Sequence, residues 1–202
     1  MKKTDRSDRT TAAERVHRLH RDHAETADRF FREKAAAVES VALALVASLR
    51  GGGTLLFFGN GGSAADAQHL AAEFVNRYVL DRPALAAVSL TTDTSILTSI
   101  ANDSDFTRVF ARQVEAIGRS GDVAVGISTS GRSANVLAGL RAARAKRLVT
   151  IGFCGEHEMA MRPLCDHLIG VPSTTTARIQ EIHILVGHIL CQIVDETLYP
   201  SR

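Results

Sequence analysis

Short apolar runs alternate with helical patterns through most of this chain, and that rhythm constrains its fold more than any other feature. Five such runs follow residue 53, at 54–58, 85–90, 123–127, 148–153 and 168–171. They lack the polar alternation of half-exposed strands, and helical stretches lie between them. That is the pattern of a parallel sheet covered on both faces. The expected fold is therefore α/β, a doubly wound five-stranded parallel sheet with an N-terminal helical extension. Residues 51–202 make up the sheet domain, and residues 1–50 form a polar tail and helical arm. Within the arm, residues 24–49 are predicted as helix from Phe30, Phe31, Val38, Val41, Leu45 and Val46, and Gly51-Gly52-Gly53 ends it.

Composition narrows the partners. The chain has 202 residues, 45% hydrophobic and 23% charged, enough to bury one core. A net charge of +2, 5% aromatic residues and no Trp argue against a nucleic-acid binder. The longest apolar stretch, 41–49, is too short for a bilayer, which needs about 20 residues. No apolar segment follows the N-terminal lysines, so no secretory signal or membrane association is expected, and the cytoplasm is the expected compartment. Cys154, Cys165 and Cys191 form no CxxC pair and read as free thiols of a reducing compartment. His17, His20 and His23 repeat every three residues; neighbouring arginines would repel a cation, so they read as a solvated helix face.

In a sheet of this kind ligands sit beyond the carboxyl ends of the strands. The first such loop is Gly59-Asn60-Gly61-Gly62-Ser63, with glycines that let a ligand approach the backbone and Ser63 as expected N-cap. It is neither a Walker loop nor a full GxGxxG. The loop after 123–127 is Ser128-Thr129-Ser130-Gly131-Arg132-Ser133, and a helical run, 134–145, follows. One cap needs one hydroxyl, and four are present. Hydroxyls and free N–H groups at a helix N-terminus suit a phosphate group, here of a small phosphorylated molecule. On the next helix His69 and Glu73 are spaced i, i+4, on one face, as a metal pair or a base and its partner. A last helix over 176–198 carries Gln180, Glu181, His183 and His188 in an apolar sequence, and each buried histidine needs a partner.

The stretches GNGGSAADAQHLAAE, SLTTDTSILTSIAND, DVAVGISTSGRSANVL and PSTTTARIQEIHILVGHILCQIVDE resemble the phosphoheptose isomerases, which are sugar isomerase (SIS) domain proteins with a flavodoxin-like sheet. The similarity runs from about residue 30 to 198. It implies an aldose–ketose isomerase of sedoheptulose 7-phosphate, yielding D-glycero-D-manno-heptose 7-phosphate, and a homotetramer with sites at subunit interfaces. It implies one zinc ion per subunit, held by His69, Glu73, Gln180 and His188. Substrate contacts map to Asn60, Gly61, Gly62, Glu73, Asn102, Asp103, Ser128, Thr129, Ser130, Ser133 and Gln180. Arg77, one turn beyond Glu73, would add charge to the same mouth.

Such an isomerisation moves a carbonyl from C2 to C1 through a cis-enediol, and the resemblance assigns Glu73 as general base and His188 as its acid partner. Zinc would polarise the carbonyl as a Lewis acid. A carboxylate bound to zinc is a weaker base, so either Glu73 leaves the ion in turnover or the ion is partly structural. Spacing adds a further constraint. Eight residues separate Gln180 from His188, a rise of about 12 Å on one helix, whereas zinc–ligand bonds are about 2 Å. Either the helix is irregular near Gln180 or the ligands come from two subunits.

Two alternatives share these stretches. A non-catalytic tetrameric SIS adaptor that binds the replication initiator DnaA is similar in the tail 195–200 and in Asn76-Arg77. It lacks the acidic residue matching Glu73 and the histidine matching His188. An isomerase of an octose 8-phosphate would need the same machinery, since none of these motifs measures sugar length.

Overall fold

The computed structural model describes residues 10–200, and the first nine residues of the polar tail lie outside the described residues. Five parallel strands, β1 (Leu55–Gly59), β2 (Ala87–Ser89), β3 (Val123–Ile127), β4 (Val149–Cys154) and β5 (His167–Gly170), lie in the order β2-β1-β3-β4-β5. Every expected apolar run becomes a strand, shifted by a residue or two or, at the β2 edge, shortened to three residues. The helices are α1 (Ala12–Arg50), α2 (Gly62–Val75), α3 (Thr94–Asp103), α4 (Val109–Ile117), α5 (Ala134–Ala145) and α6 (Thr176–Leu198), with short 3-10 turns at Phe106–Arg108 and Arg162–Leu164.

The two-residue period of the strands divides the core. In β1, Leu55 and Phe57 face a cluster built with α1, α2 and α6, while Leu56 and Phe58 face one built with α4 and α5. All five residues of β1 are buried, as covering on both faces requires. Among the described residues no helix is long and apolar enough to cross a membrane.

The arm differs from its sequence expectation. α1 begins at Ala12, twelve residues before the expected start, because Thr11 and Glu14 form a capping box. Thr11 Oγ1 accepts from the Glu14 N–H, and Glu14 Oε2 accepts from the Thr11 N–H. The second half of α1 buries Phe30, Val38, Val41, Leu45 and Val46 against the sheet face it shares with α6. Full burial of one such side chain stabilises by about 1.5–3 kcal/mol. His17 and His20 are exposed as expected, but His23 is half-buried and its Nδ1 lies 2.7 Å from Glu181 Oε2 on α6. Cys154, Cys165 and Cys191 are free, and burial pushes each thiol up to about 12.

Candidate active site

The strand order places a topological switch between β1 and β3, whose chains depart in opposite directions. Ligands in open α/β sheets bind at such a point, beyond the carboxyl ends. The loop after β1 and the loop after β3 meet there. Asn60 and Asn135 join them by a reciprocal amide pair, with Nδ2-to-Oδ1 distances of 2.9 and 2.8 Å. Asn60 is therefore held by a partner in the first turn of α5, which sequence reasoning did not single out.

In the first loop the expected cap is corrected. Gly61, with φ +56°, is the N-cap of α2, and Ser63 lies inside the helix, 3% exposed. The positive φ of Gly61 turns the chain into the helix two residues early, and a side chain there would be strained. In the second loop Ser133 is the N-cap of α5 yet makes no side-chain cap bond. Its Oγ accepts instead from Ser128 Oγ at 2.9 Å, and Ser130 Oγ accepts from the Arg132 N–H. Thr129 lies between them with its carbonyl bonded by the Gly155 N–H. The hydroxyl-rich turn thus gives α5 no bond from its N-cap side chain, while Asn135 Oδ1, inside the first turn, accepts from the Val136 N–H at 2.9 Å.

The second cluster forms where α2 and α6 run side by side. Gly187 of α6 abuts Leu70 of α2 so closely that a Cβ there would stand 2.5 Å from Leu70 Cδ2. This approach brings His69 and His188 together, their Nε2 atoms 2.8 Å apart. Glu73 Oε1 stands 3.5 Å from His69 Nε2. Tyr78 stacks on His188 with ring centroids 5.4 Å apart, a contact the sequence did not signal. Arg77 lies past the end of α2 and is exposed, so it does not continue the helical face of Glu73.

Gln180 sits elsewhere. α6 is continuous from Thr176 to Leu198, so the first of the two alternatives, an irregular helix near Gln180, is absent. Gln180 packs on Gly62, one end of the α2–α6 contact, while His188 meets His69 further along. Asn102 and Asp103 are exposed at the end of α3 and hydrogen-bond each other at 2.8 Å. Asp103 lines a cavity of about 330 Å³ with Ser99, Ile100, Ser104, Arg108 and Arg112. The structure thus brings His69, Glu73 and His188 into one cluster and Asn60, Gly61, Gly62 and the Ser128–Ser133 turn to the switch point. Asn102 and Asp103 join neither through side-chain bonds.

The other histidine of α6 has a different fate. His183 is 1% exposed, and its Nε2 lies 3.1 Å from the Cys154 carbonyl. Burial pushes its imidazole down to about 4, against the opposing effect of that hydrogen bond. Asp66, one turn before His69, has its carboxyl raised by burial, with His69 partly opposing the shift.

Among the described residues no group of three or more His, Cys, Asp or Glu side chains is gathered tightly enough to hold a metal ion as it stands. In kind, the donors fit zinc: two imidazole nitrogens directed at one another and a carboxylate beside them form an N/O set.

Comparison with known proteins identifies the chain. The model of the SIS domain family matches residues 20–155. The phosphoheptose isomerase of Desulfovibrio desulfuricans is 58% identical over 178 residues, 88% of this chain and 85% of that one. The phosphoheptose isomerase of Burkholderia pseudomallei is 54% identical over 167 residues, 83% of this chain and 85% of that one. Among solved structures, phosphoheptose isomerase from Neisseria gonorrhoeae matches with TM-score 0.87 and 42% identity, covering 92% of this chain and all (100%) of that one. The enzyme from Francisella tularensis matches with TM-score 0.89 and 32% identity, covering 93% and 100%. The chain belongs to the SIS domain family and, within it, to the phosphoheptose isomerases.

Proposed function

We propose that this isomerase converts sedoheptulose 7-phosphate into D-glycero-D-manno-heptose 7-phosphate, with Glu73 as base and His188 as acid. The observation that carries the assignment is the meeting of Glu73, His69 and His188 at the α2–α6 contact. Glu73 takes a proton from C1 while His188 gives one to the C2 oxygen, forming the cis-enediol. Glu73 then returns its proton to C2, and His188 takes the proton from the C1 oxygen. The carbonyl has moved, and both groups regain their starting states.

The Ser128–Ser133 turn and the start of α5 hold the 7-phosphate, with Asn60, Gly61 and Gly62 lining the same crevice. Asn102 and Asp103 serve the polyol. His69, Glu73 and His188 would hold one zinc ion, which supplies Lewis-acid polarisation of the carbonyl when bound. Gln180 joins that set from a second subunit of a homotetramer. Exposed apolar side chains support such assembly: Val16 at 65%, Leu43 at 57% and Val79 at 65% exposure. Free thiols in place of disulfides support a cytoplasmic setting.

Turnover of sedoheptulose 7-phosphate by wild type, Glu73→Gln and His188→Gln, with and without chelator, tests this reading. Loss in both variants, by about 10²–10⁴ fold, is expected for a lost general acid or base. Undiminished turnover in either variant removes its assigned role, and an inert wild type supplied with zinc removes the heptose assignment.

A further inference from the structure

Arg82 follows α2 in the connection to β2, and its side chain is 1% exposed. It pairs with Asp195 of α6, also 1% exposed, through Nε and Oδ1 at 2.6 Å. The rest of the guanidinium is spent on backbone. Nη2 donates to the Glu73 carbonyl at 3.0 Å. Nη1 donates to the Phe74 carbonyl at 2.8 Å and the Pro83 carbonyl at 3.1 Å. Asp195 Oδ2 is buried and has no hydrogen-bond partner among the described residues.

A buried ion pair is weak ground for stability, because a well-packed apolar pair of similar size often serves as well or better. The geometry suggests another use. The last carbonyls of a helix have no intrahelical donors, and a cation there meets the negative end of the helix dipole. Arg82 caps α2 through the carbonyls of Glu73 and Phe74. Asp195 stands seven residues after His188, two turns along the same face of α6. One guanidinium therefore ties the backbone of Glu73 to the helix that carries His188. Only a planar fork reaches three carbonyls and a carboxylate together; a lysine offers a point charge.

We propose that Arg82, held by Asp195, is a positioning residue of the isomerisation: it fixes the last turn of α2 against α6 and so sets Glu73 relative to His188. The inference rests on the reading that these two residues move the protons.

The test compares three proteins, each assayed with sedoheptulose 7-phosphate and checked for fold by circular dichroism and thermal unfolding. The first is the double variant Arg82→Met with Asp195→Leu, which removes the clamp but fills its space. The second is Arg82→Lys, which keeps the charge and loses the fork. Glu73→Gln is the reference. A displacement of about 1 Å costs on the order of 100-fold in rate, so kcat of a folded double variant falls ten- to hundredfold while KM changes less than about twofold. Arg82→Lys shows the same split. Wild-type kcat in the folded double variant, or a loss confined to KM, overturns the proposal while a dead Glu73→Gln leaves the proton-transfer reading intact. An active Glu73→Gln overturns that reading and, with it, this inference. Should the double variant fail to fold, the kcat-to-KM split of Arg82→Lys decides.

Discussion

His183 makes the stability of this enzyme depend on pH in a calculable way. Its folded imidazole is pushed down to about 4 by burial, against an ordinary 6.5. The unfolded chain therefore binds more protons than the folded one between these values, and stability falls as pH falls through that window. From pH 7 to pH 5 this one group costs about 2 kcal/mol, somewhat more than half of its full effect of about 3 kcal/mol, which is reached only below pH 4. His183→Leu isolates the effect. The Cys154 carbonyl also accepts from the Val171 N–H at 2.9 Å, so removing the imidazole leaves that oxygen bonded. The variant should lie within about 1 kcal/mol of wild type at pH 7, as a swap of similar volume that also removes an unpartnered buried Nδ1. Denaturant unfolding of both proteins at pH 7, 6 and 5, at fixed protomer concentration, reads the difference, because every other group is common to both. Wild type should lose about 2 kcal/mol relative to the variant by pH 5. Parallel curves would refute the reasoning.

Gly187→Ala adds a methyl 2.5 Å from buried Leu70. Overpacking costs about 1–3 kcal/mol and helix propensity returns at most about 1, so thermal unfolding should shift down by a few degrees. The helices then part at His69 and His188, and kcat should fall too; a rise in Tm with unchanged kcat would contradict the close-approach argument. Ser133→Ala should raise KM for the phosphorylated sugar about tenfold or more while stability changes little, because Ser133 makes no cap bond. A stability loss of about 1 kcal/mol with unchanged KM would return that hydroxyl to ordinary capping.

The sheet was legible because its strands are buried on both faces. Runs such as Val123–Ile127 had no polar residue to confuse their period, and only the β2 edge, where Leu85–Leu90 contains two alanines, contracted. The early start of α1 was written in Thr11 and Glu14, but a helix with eighteen exposed or half-exposed residues before Phe30 offers no apolar stripe to draw attention to it. His69 and Glu73 were visible as an i, i+4 pair. Their meeting with His188 was legible only through the family resemblance and in no local pattern, since it depends on Gly187 and Leu70 setting the helix separation. Arg82 and Asp195 were invisible for a similar reason. Nothing local distinguishes a buried arginine from an exposed one, and their 113-residue separation exists only in the fold.

The same contact bears on Gln180. Along α2 and α6 the contacts advance together: Gly62 meets Gln180, His69 meets His188, and the end of α2 meets Asp195 through Arg82. The helices therefore run parallel, and Gln180 lies about 12 Å of helix rise from His188. A site that needs both residues at one point can draw them from two subunits, and mixed assemblies distinguish that arrangement. Gln180→Ala and His188→Gln should each be nearly inactive and zinc-poor alone. If Gln180 serves a neighbouring subunit, unfolding and refolding them together in equal amounts restores intact sites wherever the neighbours are complementary, about a quarter of the total. Activity and bound zinc should both return in that proportion. If both residues serve the same chain's site, every site keeps one lesion and neither signal recovers. An interface able to bring Gln180 to the cluster must also cover exposed apolar side chains, and Val75 and Val79 flank the end of the helix that carries Glu73. Substituting these valines with lysine should therefore block the recovery in mixed samples by preventing assembly, and in the otherwise wild-type chain it should abolish activity, a loss that a self-contained site would not suffer.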